Sequence, residues 1–347
     1  MKGAFPMTKP LLRVLAGEAV WPPPMWLMRQ AGRYLPEYRK LRGQAGDFIS
    51  LCTTPTLASE VTLQPIRRYG FDAAILFSDI LMLPWALGYG LAFKEGEGPV
   101  LPRLTSAADV AKLDPARVAH AITPILETVQ RTKAGLDGNT ALIGFAGSPF
   151  TVACYMVEGG GSKDFAHIRA MAHADPTLFG SLIDVLVDST VEYTSAQVKA
   201  GADVIMLFDS WAGVLSPLLF ARYVTEPTRR IVAALRERHP GLPIIGFPRL
   251  AGVQVGAYAA ATGVDAVALD TGAELHVATG LVPAGIATQG NLDPLALVAG
   301  GAALEAEARG VLDGVRGRPH IFNLGHGIVP QTPPANVAAL VAQVRAA

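Results

Sequence analysis

Cysteine is nearly missing from this chain. Two residues in 347, Cys52 and Cys154, cannot build a disulfide framework, and a reducing, cytoplasmic compartment is the expectation. Charge is scarce too. Only 17% of residues are charged, 29 basic against 29 acidic, for a net charge of zero. Such a chain has no basic excess with which to neutralise phosphates, so nucleic acid is not an expected partner. A strongly anionic ligand would have to meet positive charge that is concentrated locally. Long hydrophobic runs are also absent. The most apolar window, Ile80 to Phe93, is interrupted by Pro84, Gly88 and Gly90 and is too short to span a bilayer, so no membrane is expected. The opening MKGAFPMTKPLLRVLAGEAVWPPP has no long apolar core and no small-residue cleavage site, and reads as no signal peptide. Several motifs are missing as well: no G-x-G-x-x-G follows a strand, and there is no Walker loop and no G-x-S-x-G elbow. His167 and His173 stand six apart, on different helix faces, and no cysteine lies near them, so no tight spacing supports zinc.

What the chain does have is apolar residues, half of the total, in short runs. Eight recur: Trp26–Met28, Ala73–Phe77, Ala141–Phe145, Val204–Phe208, Ile244–Phe247, Ala266–Leu269, Gly285–Thr288 and His320–Asn323. Segments of helical period lie between them. The clearest opens at Asp175-Pro176, an N-cap followed by proline at the first helical position. Leu178, Phe179, Leu182, Ile183, Leu186 and Val187 then trace one face, and Gly201 is placed to end it as a left-handed cap. One helix-to-strand junction occurs three times, as Gly70-Phe71-Asp72-Ala73, Gly201-Ala202-Asp203-Val204 and Gly263-Val264-Asp265-Ala266. In each, glycine stops a helix and the aspartate is placed to bond loop amides. Buried strands alternating with helices imply a parallel sheet covered on both faces. Eight such units predict a single (β/α)8 TIM barrel domain over residues 1–347. A doubly wound open sheet is the alternative, and it lacks its nucleotide-binding motif.

In such a barrel the chemistry gathers at the C-terminal strand ends. Arg29 and Arg33 follow the first run, Ser78 and Asp79 the second. The third leads into AGSPFTVACYMVEGGGS with Tyr155, the fourth into Asp209 and Ser210, and the eighth into LGHG with His326. Ordinary structural roles compete with functional ones. The arginines make a surface pair on a helix, Asp79 or Ser210 an N-cap, and Tyr155 a core residue with a satisfied hydroxyl. Glycines on both sides of His326 have the weakest such explanation, because they let backbone approach a ligand or adopt positive φ. Gly159-Gly160-Gly161 reads as a flexible loop or lid. Cys154, between apolar neighbours, reads as a packing residue.

PPMWLMRQAGRYLPEYRKLR and GFAGSPFTVACYMVEGGGS resemble the two signature regions of the uroporphyrinogen decarboxylase family. FSDILMLPWALGYG, LFDSWAG and FNLGHGIVPQTPP resemble its remaining active-site segments. The resemblance runs from Trp26 to Pro334. It implies a cytoplasmic (β/α)8 barrel, usually a homodimer, that needs no metal or organic cofactor. It also implies removal of the four acetate carboxyl groups of uroporphyrinogen III, giving coproporphyrinogen III for heme biosynthesis. Residue by residue, Arg29 and Arg33 resemble the arginines that bind substrate carboxylates, with Gln30, Ala31 and Gly32 on the same wall. Asp79 resembles the aspartate facing the pyrrole nitrogens. Tyr155, Ser210 and His326 resemble contacts to the macrocycle's carboxylates. Trp211 stands where many relatives have histidine.

The chemistry explains why such residues are needed. The substrate carries eight carboxylates, and forked arginines bind carboxylates well. Loss of carbon dioxide leaves an electron pair that a pyrrole protonated at its α-carbon can accept, and a fixed carboxylate stabilises that cation. Asp79 is the expected transition-state stabiliser, with Arg29 as a second catalytic group. Arg29, His326, Tyr155 and a bound water remain alternative proton donors. Two other readings are a corrinoid- or thiol-linked methyltransferase, which would hold zinc through histidine and cysteine, and a tetrapyrrole carrier, which would have no need of Asp79.

Overall fold

The computed structural model describes residues 8–94 and 98–347. Seven parallel strands form one curled sheet in the order β1 (Ala73–Ile75), β4 (Ala141–Gly147), β5 (Val204–Asp209), β6 (Ile244–Pro248), β7 (Ala266–Ala268), β8 (Ala287–Leu292) and β9 (His320–Leu324). They are the last seven of the eight apolar runs, separated by helices, in a TIM-barrel-like α/β arrangement. β8 continues past its run through Gln289, Gly290 and Asn291. Alternation of apolar residues hides this stretch because its polar side chains are buried, with Gln289 accepting the Trp26 indole N–H at 3.0 Å. β2 (Ala92–Lys94) and β3 (Gly98–Val100) form a separate antiparallel pair that begins at the end of the interrupted apolar window.

The first run, Trp26–Met28, is not a ladder strand. Side chains take its later amides, Gln30 the Leu27 N–H at 3.0 Å and Asn323 the Met28 N–H at 2.9 Å, so the segment touches the neighbouring strands at single points. Phe322 N–H donates to Pro24 O at 2.9 Å and Trp26 N–H to Phe322 O at 3.3 Å, on the β9 side; Asp72 N–H donates to Met25 O at 2.9 Å, on the β1 side. Residues 24–26 thus lie between the first and last strands of the sheet.

The three repeated junctions make one device. Gly70 and Gly263 close their helices in the left-handed region, at φ 65° and 75°, and Gly201 at φ 123°. The aspartate two residues later pairs reciprocally with one residue of the neighbouring segment. Asp72 with Met25, Asp203 with Leu142 and Asp265 with Ile244 each give their own N–H to that residue's carbonyl and take its N–H on a carboxylate oxygen, at 2.7–2.9 Å. A cation then sits on each carboxylate: Arg345 on Asp72, Lys9 and Lys133 on Asp203, Arg236 on Asp265. These staples lie at the N-terminal ends of the strands, opposite the predicted site.

At the other end the sheet parts. β1 has three residues, and its last bond to β4 is Leu76 N–H to Ile143 O at 2.9 Å. By alternation, the N–H and C=O of Phe145 also point toward the β1 side, where there is no strand left to receive them. Gln197, fully buried on the 25-residue helix Pro176–Ala200, accepts the Phe145 N–H and donates to the Phe145 carbonyl, both at 2.9 Å. Gly144 leaves room for it, since a Cβ there would come within 2.5 Å of the Gln197 side-chain oxygen. Thr62 takes the Phe77 N–H at 3.0 Å. Chain 78–81 is thereby released from the sheet without orphaned amides. Gln197→Leu strands a buried donor and acceptor together. We expect a loss of roughly 2 kcal/mol or more in stability, read as a lower urea midpoint; an unchanged midpoint would mean that Phe145 finds other partners.

Candidate active site

A cavity of about 470 Å3 opens where β1 and β4 part, within the usual size range for small-molecule sites. Its walls come from the ends of β1, β4 and β5, from the turns after β9, and from segment 28–34. The β2–β3 hairpin covers one side through Phe93, Gly98 and Pro99. The end of its second strand is fastened to the glycine run. Gly159 caps helix Pro149–Glu158 at φ 82° and accepts the Leu101 N–H at 3.0 Å, while Gly160 bridges to Val100. Two of the three glycines are thus bonded to the segment that ends this cover.

Arg29, Ala31, Gly32, Arg33, Asp79, Tyr155, Ser210 and His326 all line this cavity. Gln30 does not. Its side chain accepts the Leu27 N–H and donates to Ala73 O, both at 3.0 Å, and is fully buried. Segment 28–34 is a series of turns rather than a helix, which begins only at Pro36, so Arg29 and Arg33 are not a pair on one helical face. Arg29 has φ 62°, a left-handed conformation that costs a side-chain-bearing residue roughly 1–2 kcal/mol. The Gln30 bonds hold that turn. Neither Arg29 nor Arg33 makes an ion pair among the described residues, and the Arg33 carbonyl is held by Arg39 at 2.8 Å.

The glycines beside His326 serve packing. Neither has positive φ. A Cβ at Gly327 would lie 2.3 Å from Arg29 Cδ, and one at Gly325 would lie 2.2 Å from the Thr271 nitrogen. The LGHG turn is thus packed against the arginine that it faces. His326 Nδ1 accepts the Gly327 N–H at 2.7 Å, leaving Nε2 as the N–H donor of the neutral ring. Burial, with Arg29 and Arg249 nearby, lowers its pKa to about 4.

Asp79 is the one carboxylate lining the cavity among the described residues. Its Oδ1 accepts the Leu81 N–H at 2.8 Å and its carbonyl the Met82 N–H at 3.1 Å, so it caps its turn as well as facing the cavity. Burial raises its pKa, opposed by the Leu81 amide and the Arg29 charge. Burial also raises the pKa of Tyr155, with Trp211 acting against it. Ser210 is positioned through its neighbours. Thr151 Oγ donates to Asp209 at 2.5 Å and accepts the Trp211 N–H at 3.1 Å, tying the turn after β5 to the helix that carries Tyr155. Asp209 itself is buried, and desolvation pushes its pKa up to about 7.

Reading strand ends for polar groups misses the apolar surface. Phe145 and Phe208 meet edge to face at 5.4 Å, and Phe48 packs on both Phe77 and Phe93. Together they give the cavity aromatic walls below the charged groups. Periodicity marks these residues only as core. Cys52 and Cys154 are buried, and burial raises the pKa of both thiols. Among the described residues no three His, Cys, Asp or Glu side chains group as metal ligands, and no helix is long and apolar enough to cross a membrane.

The fold and cavity define a class: a barrel-like α/β protein with a cationic, aromatic-walled pocket at the C-terminal ends of its strands. The family model for uroporphyrinogen decarboxylase (URO-D) matches residues 7–347. A curated protein named uroporphyrinogen decarboxylase from Granulibacter bethesdensis is 61% identical over 342 residues, covering 98% of this chain and 99% of the relative. Another of that name from Gluconacetobacter diazotrophicus is 58% identical, covering 97% and 98%. The chain belongs to the uroporphyrinogen decarboxylase family. A solved methyltransferase from Methanosarcina mazei superposes with a TM-score of 0.76 at 20% identity, covering 98% of each chain; at that identity the likeness is one of fold alone.

The imidazole of His326 is open to direct measurement. Its NMR titration is expected to show the Nε2–H tautomer at neutral pH and a midpoint near 4. An unfolded histidine takes up its proton near 6.5. The unfolded chain therefore binds more protons in between, and the His326 contribution to stability is complete above about pH 6.5 and lost toward pH 4. A midpoint at the ordinary value would mean that the ring is open to water.

Proposed function

We infer that this chain decarboxylates uroporphyrinogen III to coproporphyrinogen III for heme biosynthesis, by a mechanism that uses its own side chains and no cofactor. Family membership supports the reaction. The observation that carries the mechanism is the charge inside the cavity, where, among the described residues, Arg29 and Arg33 have no ion-pair partner and Asp79 is the lone carboxylate. An octacarboxylate supplies the anions that these guanidinium groups lack. Tyr155, Ser210 and the Nε2–H of His326 offer further polar contacts, and the aromatic walls accept the apolar faces of the pyrroles.

In each decarboxylation a proton adds to the pyrrole α-carbon and makes the ring cationic. The bond to the acetate carboxylate then breaks, and its electrons flow into the ring. Carbon dioxide leaves an exocyclic methylene, which takes a proton to become methyl, and the α-carbon gives its proton back. Burial makes Asp79 costly as an isolated anion. That cost is relieved when a cation forms beside it, so the carboxylate favours the transition state over the bound substrate. Arg29 is the second catalytic group, acting on both the substrate carboxylate and Asp79.

We read the chain as one (β/α)8 barrel domain, with residues 24–28 in the place of the first strand, working in the cytoplasm. A homodimer fits the exposed apolar side chains. Leu218, Leu250, Val253, Val277, Leu281 and Leu295 all lie in segments that follow the C-terminal ends of β5 to β8. Sedimentation equilibrium should give twice the chain mass, and a monomer at micromolar concentration would remove that role from these residues.

The functional test is anaerobic incubation of chelator-treated protein with uroporphyrinogen III, followed by chromatography. Coproporphyrinogen is expected. A requirement for added zinc would favour the methyltransferase reading, and binding without turnover the carrier. Asp79→Asn should lower kcat by about 100-fold or more with a smaller effect on binding, measured by single turnover on protein shown to be folded by circular dichroism. Normal turnover would return Asp79 to its capping role alone.

A further inference from the structure

The cavity walls are one-sided. β6, β7 and β8 contribute no lining residue, yet each ends in a polar side chain: Arg249, Asp270 and Asn291. Two of these are used up by the backbone. Asp270 accepts the Leu250 N–H at 2.8 Å and the Gly272 N–H at 2.9 Å. Asn291 donates to the carbonyls of Asp270 and Ala273 at 3.1 and 2.7 Å.

Arg249 is different. It makes no ion pair among the described residues, and its Nε is buried with no hydrogen-bond partner. The guanidinium's one contact is a long one, from Nη1 to the Ser210 carbonyl at 3.5 Å, directly behind a residue that lines the cavity. Its charge acts on both Arg29 and His326, so it lies within electrostatic reach of the two groups on the far wall. Burial works against its positive charge, the Asp270 carboxylate supports it and Arg29 opposes it.

The backbone beneath Arg249 is fixed from three sides. Its N–H donates to Asp209 O at 3.1 Å, its carbonyl accepts the Gly213 N–H at 3.0 Å, and the next residue is held by Asp270. Gly213 is there because a Cβ would lie 2.4 Å from Leu250. Leu250 holds a left-handed φ of 61° and half of its surface is exposed. Strain in a turn that is otherwise tightly bonded is a common mark of a functional site. Here it fixes the backbone of Arg249, the one charged residue of Pro248-Arg249-Leu250-Ala251-Gly252, just past the end of β6.

We propose that Arg249 is a third carboxylate-binding arginine of the site, taking a substrate side-chain carboxylate at the edge formed by β5, β6 and the His326 turn, across from Arg29 and Arg33. The Nε–Nη2 edge, whose Nε has no hydrogen-bond partner, is the one that would receive a carboxylate bidentately. Three fixed guanidinium groups around one pocket would fix the ring's orientation as well as its affinity. This rests on the decarboxylase reading above, with an octacarboxylate as substrate.

The test compares wild type, Arg249→Met and Arg249→Lys with uroporphyrinogen III under anaerobic conditions, measuring KM and kcat separately for loss of the first carboxyl group. Arg249→Met should raise KM about 10-fold or more while kcat changes less than 3-fold. Arg249→Lys should recover only part of the affinity, because lysine keeps the charge and loses the fork. In Arg249→Met the His326 NMR midpoint should also move up from about 4, a shift that a remote structural role would not produce. Unchanged KM in a folded, active Arg249→Met protein overturns the proposal and leaves the decarboxylase reading intact. An equal fall in kcat with unchanged KM also overturns it. Wild-type protein that does not decarboxylate overturns the reading on which it rests.

Discussion

The backbone of Phe145 is hydrogen-bonded to a side chain where a strand would be expected, and the site depends on that substitution. A parallel sheet that loses a strand partway along exposes amides that must be satisfied. The Gln197 amide, with its donor and acceptor side by side, stands in for the missing peptide group. The chain after β1 is then free to turn away and carry Ser78 and Asp79 along the cavity wall. The same separation presents the Phe145 ring to Phe208. An ordinary ladder continued to Asp79 would fill the place that the ligand needs.

Charge is arranged differently at the two ends of the sheet. At the N-terminal end each stapling aspartate carries at least one cation. At the C-terminal end Arg29, Arg33 and Arg249 make no ion pair among the described residues, although the charges of Asp79 and Asp270 reach Arg29 and Arg249. A neutral chain thus produces a strongly cationic pocket by pairing its charges in one place and leaving them single in another. Unpaired cations so close together repel, and their approach is tolerated because a polyanion is the intended neighbour. The low pKa of His326 comes first from burial, and the charges of Arg29 and Arg249 add to it.

Much of this was legible in sequence. Runs of β-branched and apolar residues separated by helical periods mark seven of the strands, and Gly-x-Asp marks the junctions. The positions after the runs point to Arg29, Arg33, Asp79, Tyr155, Ser210 and His326, all of which meet in one cavity. Three things were hidden, each for a physical reason. The stretch 24–28 has the composition of a strand, but the Gln30 and Asn323 side chains take the Leu27 and Met28 amides that a ladder would use. The role of Gln197 cannot be read from a helix pattern, since a polar residue near a helix end looks solvated. Arg249 follows an apolar run like the other rim residues, yet it sits in a turn with no unusual composition, and only its lack of partners sets it apart.

Arg29 and Gly327 have a consequence for how this sequence can change over generations. The space that a side chain at 327 would occupy is already taken by the Arg29 methylenes, and Arg29 itself holds a backbone conformation that would suit glycine better. Any larger residue at 327 displaces the guanidinium, and the compensating change, a smaller residue at 29, removes it. A substitution at either position disturbs the same guanidinium, so the two sites are coupled although nearly 300 residues separate them along the chain. This part of the pocket wall therefore has little freedom to vary one residue at a time.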